Sequence, residues 1–265
     1  MTKFAPSRRD ANVLLLTSLA GCAFGPAHAE LSDPWPSLAP DLFPGKTIIL
    51  DDAIALEAPV RAEDAAIVPM TLRMMRPDIR KATLVIDQNP MPMAAAFSFG
   101  ESAGVGFVET RTRVNSYTNV HAVAETADGA LHAQVKFVKA AGGCSAPAGK
   151  DMDEAATNMG KMKYRAFKSA DPSRREAQIM IRHPNSSGMQ MDQLTHLYIP
   201  AHYLDRVEVR QGDAPIFTMD GGISLSEDPV FRFDYKPNGA KTIFVEAHDT
   251  KGNVFKAEWP VGEAS

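Results

Sequence analysis

Two cysteines, Cys22 and Cys144, are the only thiols in 265 residues, and the second lies in an unusual setting. Cys144 follows Gly142-Gly143 and precedes Ser145-Ala146-Pro147. Small residues with Gly and Pro have little to bury, so this composition predicts a mobile linker with an exposed thiol. Free cysteine is otherwise among the most buried residue types. As a thiolate it can attack electrophilic sulfur or form a mixed disulfide. No His or Arg adjoins Cys144 in sequence, which suits a thiol that is carried to an enzyme rather than one that is itself activated. The six residues from Val138 to Cys144 would reach at most about 20 Å. A tolerated surface cysteine in a spacer fits the same composition, and a Cys144-linked homodimer is chemically open to a free thiol.

Other chemistry-bearing patterns are missing. The chain has no H-E-x-x-H, no cysteine pair at metal spacing, no Walker loop and no G-x-S-x-G, so neither catalytic residues, a metal nor a cofactor is expected. The acidic group Asp151, Asp153 and Glu154 reads as a solvated face, and Gly100 to Gly106 as a hairpin loop. Asn185-Ser186-Ser187 is a formal glycosylation sequon with little meaning behind a bacterial-type signal. His183, His196 and His202 could approach a partner or substrate, though hydrogen bonding at edges or turns is the simpler role. Most of the 13 methionines read as core filling; Met152, Met159 and Met162, near the linker, could form an adaptable docking surface.

The first 29 residues account for the other cysteine. Lys3, Arg8 and Arg9 precede an apolar stretch from Val13 to Ala20, and Ala27-His28-Ala29 offers an A-x-A cleavage site. That order predicts an export signal over 1–29, with Ser7-Arg8-Arg9 resembling a twin-arginine signal and placing the protein in the periplasm. Leu19-Ala20-Gly21-Cys22 also matches a lipobox, which would lipidate Cys22 instead of discarding it. The net charge of −4 gives no basic footprint for nucleic acid, and signal cleavage makes the chain more acidic. No apolar run beyond the signal approaches the ~20 residues of a membrane span.

The elements that must position Cys144 read as strands. Short apolar runs recur with turn signals between them: Lys46–Leu50, Ala66–Met74, Lys81–Ile86, Ala94–Phe99, Gly106–Val114, Asn119–Thr126 and Leu131–Val138 in the first half. The second half adds Lys163–Phe167, Ala177–Arg182, Leu197–Ile199, Arg206–Arg210, Pro215–Met219, Val230–Tyr235, Thr242–Ala247 and Val254–Trp259. A helical turn fits Asp153–Thr157. Leu131, Ala133, Val135 and Phe137 alternate with His132, Gln134 and Lys136 after the Asp128-Gly129 turn, predicting one buried and one wet face. Phe231, Phe233 and Tyr235 alternate in the same way with Arg232 and Asp234, as do Phe255, Ala257 and Trp259 with Lys256 and Glu258. The expected fold class is all-β: two sandwich domains joined by a flexible Cys-bearing linker.

Longer motifs carry a family resemblance. Asn89-Pro90-Met91-Pro92, Asn115-Ser116-Tyr117-Thr118-Asn119-Val120, Val135-Lys136-Phe137-Val138-Lys139 and Gly142-Gly143-Cys144 resemble SoxY, the sulfur-carrier subunit of the periplasmic sulfur-oxidation system. His183-Pro184-Asn185-Ser186-Ser187-Gly188, Ile199-Pro200-Ala201-His202-Tyr203, Gly221-Gly222-Ile223-Ser224 and Asp228-Pro229-Val230-Phe231-Arg232-Phe233 resemble its partner SoxZ. The order is closest to fused SoxYZ-like carriers associated with quinoprotein dehydrogenases.

The resemblance implies an immunoglobulin-like SoxY sandwich over 30–141, a Gly-Gly-Cys arm and linker over 142–162, and a SoxZ-like sandwich over 163–265. It implies a non-enzymatic carrier with Cys144 as the covalent attachment point and Gly142, Gly143 and Ser145 as its swinging arm. Implied partners are periplasmic redox enzymes: a quinoprotein dehydrogenase, a cytochrome c or Sox-type enzymes. SoxY ends in G-G-C-G-G at a free terminus, whereas here Ser145 and Ala146 replace the last glycines and the chain continues, so the arm is tethered at both ends. A non-covalent adaptor or maturation factor for a quinoprotein alcohol dehydrogenase, and a carrier for thiosulfate oxidation, are the alternative roles.

Overall fold

The computed structural model describes residues 33–147, 157–193 and 195–262. The export signal with Cys22, and the group Asp151, Asp153 and Glu154, lie outside the described residues, as does all of the expected helical turn except Thr157. The first half contains α1 (Trp35–Leu42), β1 (Ile48–Leu50), β2 (Ile54–Glu57), β3 (Val68–Met74), β4 (Ile79–Ile86), β5 (Met93–Phe99), β6 (Phe107–Thr112), β7 (Thr118–Thr126) and β8 (Leu131–Val138). The second contains β9 (Met162–Phe167), β10 (Arg175–Ile181), β11 (Leu204–Gln211), β12 (Ala214–Gly221), β13 (Val230–Tyr235), β14 (Thr242–Asp249) and β15 (Val254–Pro260). No helix among the described residues is long and apolar enough to cross a membrane.

The fold is all-β, as the recurring short apolar runs predict, and its two sheets both run through both halves. The larger sheet has the order β1-β8-β7-β4-β5-β12-β11-β14-β15, and the smaller β2-β3-β6-β13-β10-β9. The halves join edge to edge, through β5 against β12 and β6 against β13, both antiparallel. Four strand edges that would otherwise be open templates for aggregation are thereby closed. The two halves together form one compact unit from Asp33 onward.

Aromatic side chains fill the seam. Phe97 of β5 meets Phe217 of β12 edge-on at 5.8 Å and Phe231 of β13 at 6.3 Å, while Phe217 meets Phe233 at 5.0 Å. All four are buried, so each contributes its transfer free energy plus about 0.5–1.5 kcal/mol per ring pair. Phe231, Phe233 and Tyr235 point inward as their alternation predicts. On the edge strand β15 the same alternation gives half-buried Phe255, Ala257 and Trp259 between exposed Lys256 and Glu258.

Strand β8 follows the predicted alternation only in part: Leu131 and Ala133 are buried as expected, but so is His132, and Val135, Lys136 and Phe137 are all exposed. Its odd residues share a face on which Trp35, Phe43 and Ile48 pack over Val123, Leu131 and Ala133, and Trp35 also stacks on His121 at 3.6 Å. Val135 and Phe137 lie beyond that cover and are 41% and 43% exposed. On the other side, His132 is buried and bonds Asp51 at 2.7 Å, and Gln134 reaches Asp52 and the Leu56 amide. Alternation sets the period, but what covers each face depends on elements remote in sequence.

Other expectations also shift. Gly100 to Gly106 crosses from the large sheet to the small one instead of closing a hairpin. Leu197–Ile199 forms no strand; a single bridge pairs Met191 with Tyr198 in a loop. Helix α1 and strand β2 carry no sequence signal strong enough to predict them. The three prolines at 34, 36 and 40 disguise α1, although proline is well placed in a first helical turn.

Candidate functional site

The Cys144 segment is docked, which corrects the exposed-arm expectation. After β8, the Lys139 amide bonds Val60 O and the Ala62 amide bonds Lys139 O. Gly142, at φ 79°, turns the chain in a conformation that glycine adopts without strain. Its amide bonds Asn115 O at 2.8 Å, and that of Gly143 bonds Val114 O at 3.0 Å. A Cβ on Gly143 would stand 2.0 Å from Ala65 O, so glycine is required there for close backbone approach rather than mobility. The amide and hydroxyl of Ser145 both bond back to Gly142 O at 3.2 Å. Gly142, Gly143 and Ser145 therefore form a tight turn, not a free arm.

The second half closes the other side. Ser187 Oγ donates to Cys144 O, and Gln190 Nε2 donates to Ala146 O at 3.0 Å. Gln190 Oε1 accepts from the Ser187 amide at 3.2 Å, bracing this clasp. Cys144 is left fully buried. Burial pushes its thiol up to about 11, against an opposing pull from Arg113. A Cys144-linked homodimer would thus require the turn to leave its seat.

Arg113, immediately after β6, lies beneath this turn and is 2% exposed. Its two terminal nitrogens reach Gly143 O and Asn185 O, each at 3.4 Å, and its Nε has no partner. Burial lowers its pKa, partly offset by attraction to Cys144, Glu227 and Asp64. Asn89 fixes the backbone around Arg113: its Nδ2 donates to Arg113 O and Ser224 Oγ, and its Oδ1 accepts from the Asn115 amide.

A second buried cluster lies one residue-pair away. His202 Nε2 is 2.7 Å and His183 Nε2 3.4 Å from Asp249 Oδ2. The Asn185 amide donates to His183 Nδ1 at 3.0 Å, which places the His183 proton on Nε2, toward the carboxylate. Burial alone would raise the Asp249 pKa, but donors from the Asn253 side chain, His202 and the Asn253 and Lys251 amides hold it well below the carboxylate range. Burial, then the neighbouring His202, pushes His183 down to about 4. The three potential ligand atoms lie within 4.8 Å of one another. This proton arrangement, however, occupies the His183 Nε2 lone-pair position that a metal would need, and every group already has a partner. The cluster is a hydrogen-bonded brace. His196 stays apart, in an exposed turn at φ 56°.

Arg113, Gln190 and Asp249 have no adjacent motif that marks them in the sequence, and Asn89, although it opens the Asn89-Pro90-Met91-Pro92 motif, is not marked there as a site residue. The signal for Arg113 is a break in alternation: Arg111 is exposed and Arg113 buried beyond the end of β6. Asn185-Ser186-Ser187, which reads as an idle sequon, is buried and supplies contacts to both Arg113 and Cys144.

The sulfur oxidation protein SoxY family matches residues 40–144, ending on Cys144, and the sulphur oxidation protein SoxZ family matches residues 164–260. No curated protein matches the chain. Among solved structures, the sulfur carrier protein SoxY from Chlorobium limicola f. thiosulfatophilum is 26% identical, with a TM-score of 0.35, over 40% of this chain and 91% of that one. A beta-glycosidase from Bacteroides vulgatus matches at 8% identity and a TM-score of 0.26, over 83% of this chain and 25% of that one. With its thiol at the end of the first match and its clasp at Ser187 and Gln190 in the second, the chain carries a SoxY-family domain followed by a SoxZ-family domain.

Proposed function

We propose that this protein is an exported, periplasmic sulfur carrier that holds a sulfur-linked intermediate covalently on Cys144 and presents it to redox enzymes. The observation that carries the reading is a free thiol at the last position of the SoxY match, seated between the two halves of the fold. With the thiol pushed to about 11, roughly one molecule in a thousand is a thiolate at pH 8 while the turn is docked. Docking thus protects the sulfur, and reaction requires the turn to swing out about Gly142. Exposed side chains that follow the contact residues of the seat in sequence fit a partner-facing role. Tyr117, two residues beyond Asn115, and Leu197 and Tyr198, beyond Gln190, are large exposed apolar side chains.

From the resemblance in order to fused SoxYZ-like carriers we read the carrier as part of a quinoprotein dehydrogenase-associated system, with no catalysis of its own. Intact-mass analysis of protein isolated from its native cell envelope is expected to show a sulfur-containing adduct that maps to Cys144. A bare thiol under inducing conditions, together with full function of Cys144→Ser, would overturn the reading. Pull-down of a dehydrogenase or cytochrome that survives Cys144→Ser would favour a non-covalent adaptor.

A further inference from the structure

We propose that a cleft in the second half, at the end of β10 remote from Cys144, binds a small organic anion with an apolar body, such as an aryl sulfonate or carboxylate. The inference is independent of what Cys144 carries. The cleft has a volume of about 880 Å³, within the range of small-molecule sites. It opens beside Arg175, the first residue of β10, whereas the Ser187 clasp on Cys144 follows the last, Ile181. At ~3.3 Å per residue, β10 spans roughly 20 Å between the two.

Strand register explains why the cleft exists. On the inward face, Ile181, Ile179 and Ala177 of β10 lie opposite Met162, Tyr164 and Ala166 of β9. The Ala177–Ala166 pair leaves a gap that the larger pairs before it fill, and Ala166, Tyr164 and Val261 line the resulting cleft. The next inward position is Arg175, opposite Tyr235 of β13. An arginine there breaks the apolar series, and its charge acts on the phenol groups of Tyr164 and Tyr235. The facing wall is fixed by Gln211, which is 3% exposed: its Nε2 donates to Ala240 O and its Oε1 accepts from the Asn238 amide.

Charge around the cleft selects the ligand. Lys168, Arg175 and Lys241 line it, and among the described residues none of the three has a carboxylate partner. The guanidinium of Arg175 meets only Arg174 O, at 3.4 Å. Both carboxylates that line the cleft are engaged: Asp171 accepts from the Ser173 amide and hydroxyl, and Glu176 accepts from Arg232. Arg174 is tied to Asp234. Unpaired cations beside an apolar wall attract an anion while its carbon framework leaves water, and a neutral ligand of the same shape gains only the second contribution.

Two fluorescent probes with a similar aromatic body test this: anilinonaphthalene sulfonate carries a negative charge and phenylnaphthylamine carries none. Each is titrated into the full chain at low ionic strength, where exposed charges are least screened. The sulfonate probe is expected to saturate and to bind about tenfold more tightly than the neutral one, the combined effect of three exposed cations. Arg175→Gln and Lys241→Gln, both at exposed positions, should each weaken the sulfonate probe about two- to fivefold and leave the neutral probe unchanged. Ala166→Leu should fill the gap and weaken both probes. Equal affinities of the two probes for the unsubstituted chain would overturn the proposal. So would sulfonate binding that none of the three substitutions alters, because the probe would then occupy another surface.

Discussion

Asn185 touches two buried polar clusters that differ in how fully they are satisfied. Its amide donates to His183, whose cluster with His202 and Asp249 gives each side chain a partner. Its carbonyl accepts from Arg113, whose guanidinium retains unused donors beside the Cys144 turn. Both clusters lie out of water, where an unpaired polar group costs far more than a paired one gains. A fold can tolerate the second arrangement only if the rest of the structure is stable enough to offset it. The satisfied cluster accordingly acts as a brace: it ties the end of β14 to the segment that carries Asn185 and Ser187. The undersatisfied one sits beneath the Cys144 turn.

The sharpest way to break this comparison is to remove the brace. Asp249→Ala leaves two imidazoles and the Asn253 side chain without their acceptor and is expected to cost about 3–5 kcal/mol by urea unfolding. A loss below about 1 kcal/mol would show that the cluster is not structural.

Acid should weaken the same cluster. His183 has a folded pKa of about 4 against an ordinary 6.5, so below pH 6.5 the unfolded chain binds a proton that the folded chain refuses. Stability should fall as pH drops from 6.5 toward 4, on the order of 3 kcal/mol across that window. His183→Asn should flatten this slope in pH-dependent unfolding. The Cys144 thiol runs in the opposite direction. Its folded pKa of about 11 lies above the ordinary 9.0, so its contribution is complete below pH 9 and is lost as pH rises toward 11; Cys144→Ser should remove that alkaline slope.

Gly143→Ala drives a methyl group against Ala65 O and is expected to unseat the turn at a cost of about 1–3 kcal/mol. Alkylation of Cys144 by iodoacetamide at pH 8 should accelerate at least tenfold while the β-rich circular dichroism persists. An unchanged rate would mean that the seat does not protect the thiol. The smallest effect belongs to Arg113→Met, expected to change stability by less than about 1 kcal/mol in either direction, because it removes a poorly satisfied buried charge. A loss of 3 kcal/mol would make Arg113 a brace like Asp249.

Much of the fold was legible. Periodicity located all but one strand of the described residues, and Phe231, Phe233 and Tyr235 faced inward as their spacing requires. Trp35 to Leu42 was hidden by its prolines, and β2 by its brevity. At β8 Leu131 and Ala133 are buried as predicted while Val135 and Phe137 are exposed, because the cover from α1, some 90 residues earlier, reaches the first pair and not the second. The site was half legible. Scarcity of cysteine marked Cys144, but composition argued for exposure, since Gly-Gly-Cys-Ser-Ala carries no bulk. Small residues also permit close approach between backbones, and the seat uses that property. Arg113 and the Asn185-Ser187 segment, 72 residues apart at their contact, had no reason in sequence to be read together.

The sequence by itself determined a β-rich chain in two SoxY- and SoxZ-like halves, with one candidate carrier thiol at their junction. Those properties follow from local spacing, turn chemistry and residue type. Only the tertiary structure decided that sheets run through both halves, that the thiol is shielded, and that a buried guanidinium waits beneath it. Each depends on pairings between residues tens to more than a hundred positions apart. Burial and partnership are properties of those pairings, and no single stretch of the chain contains them.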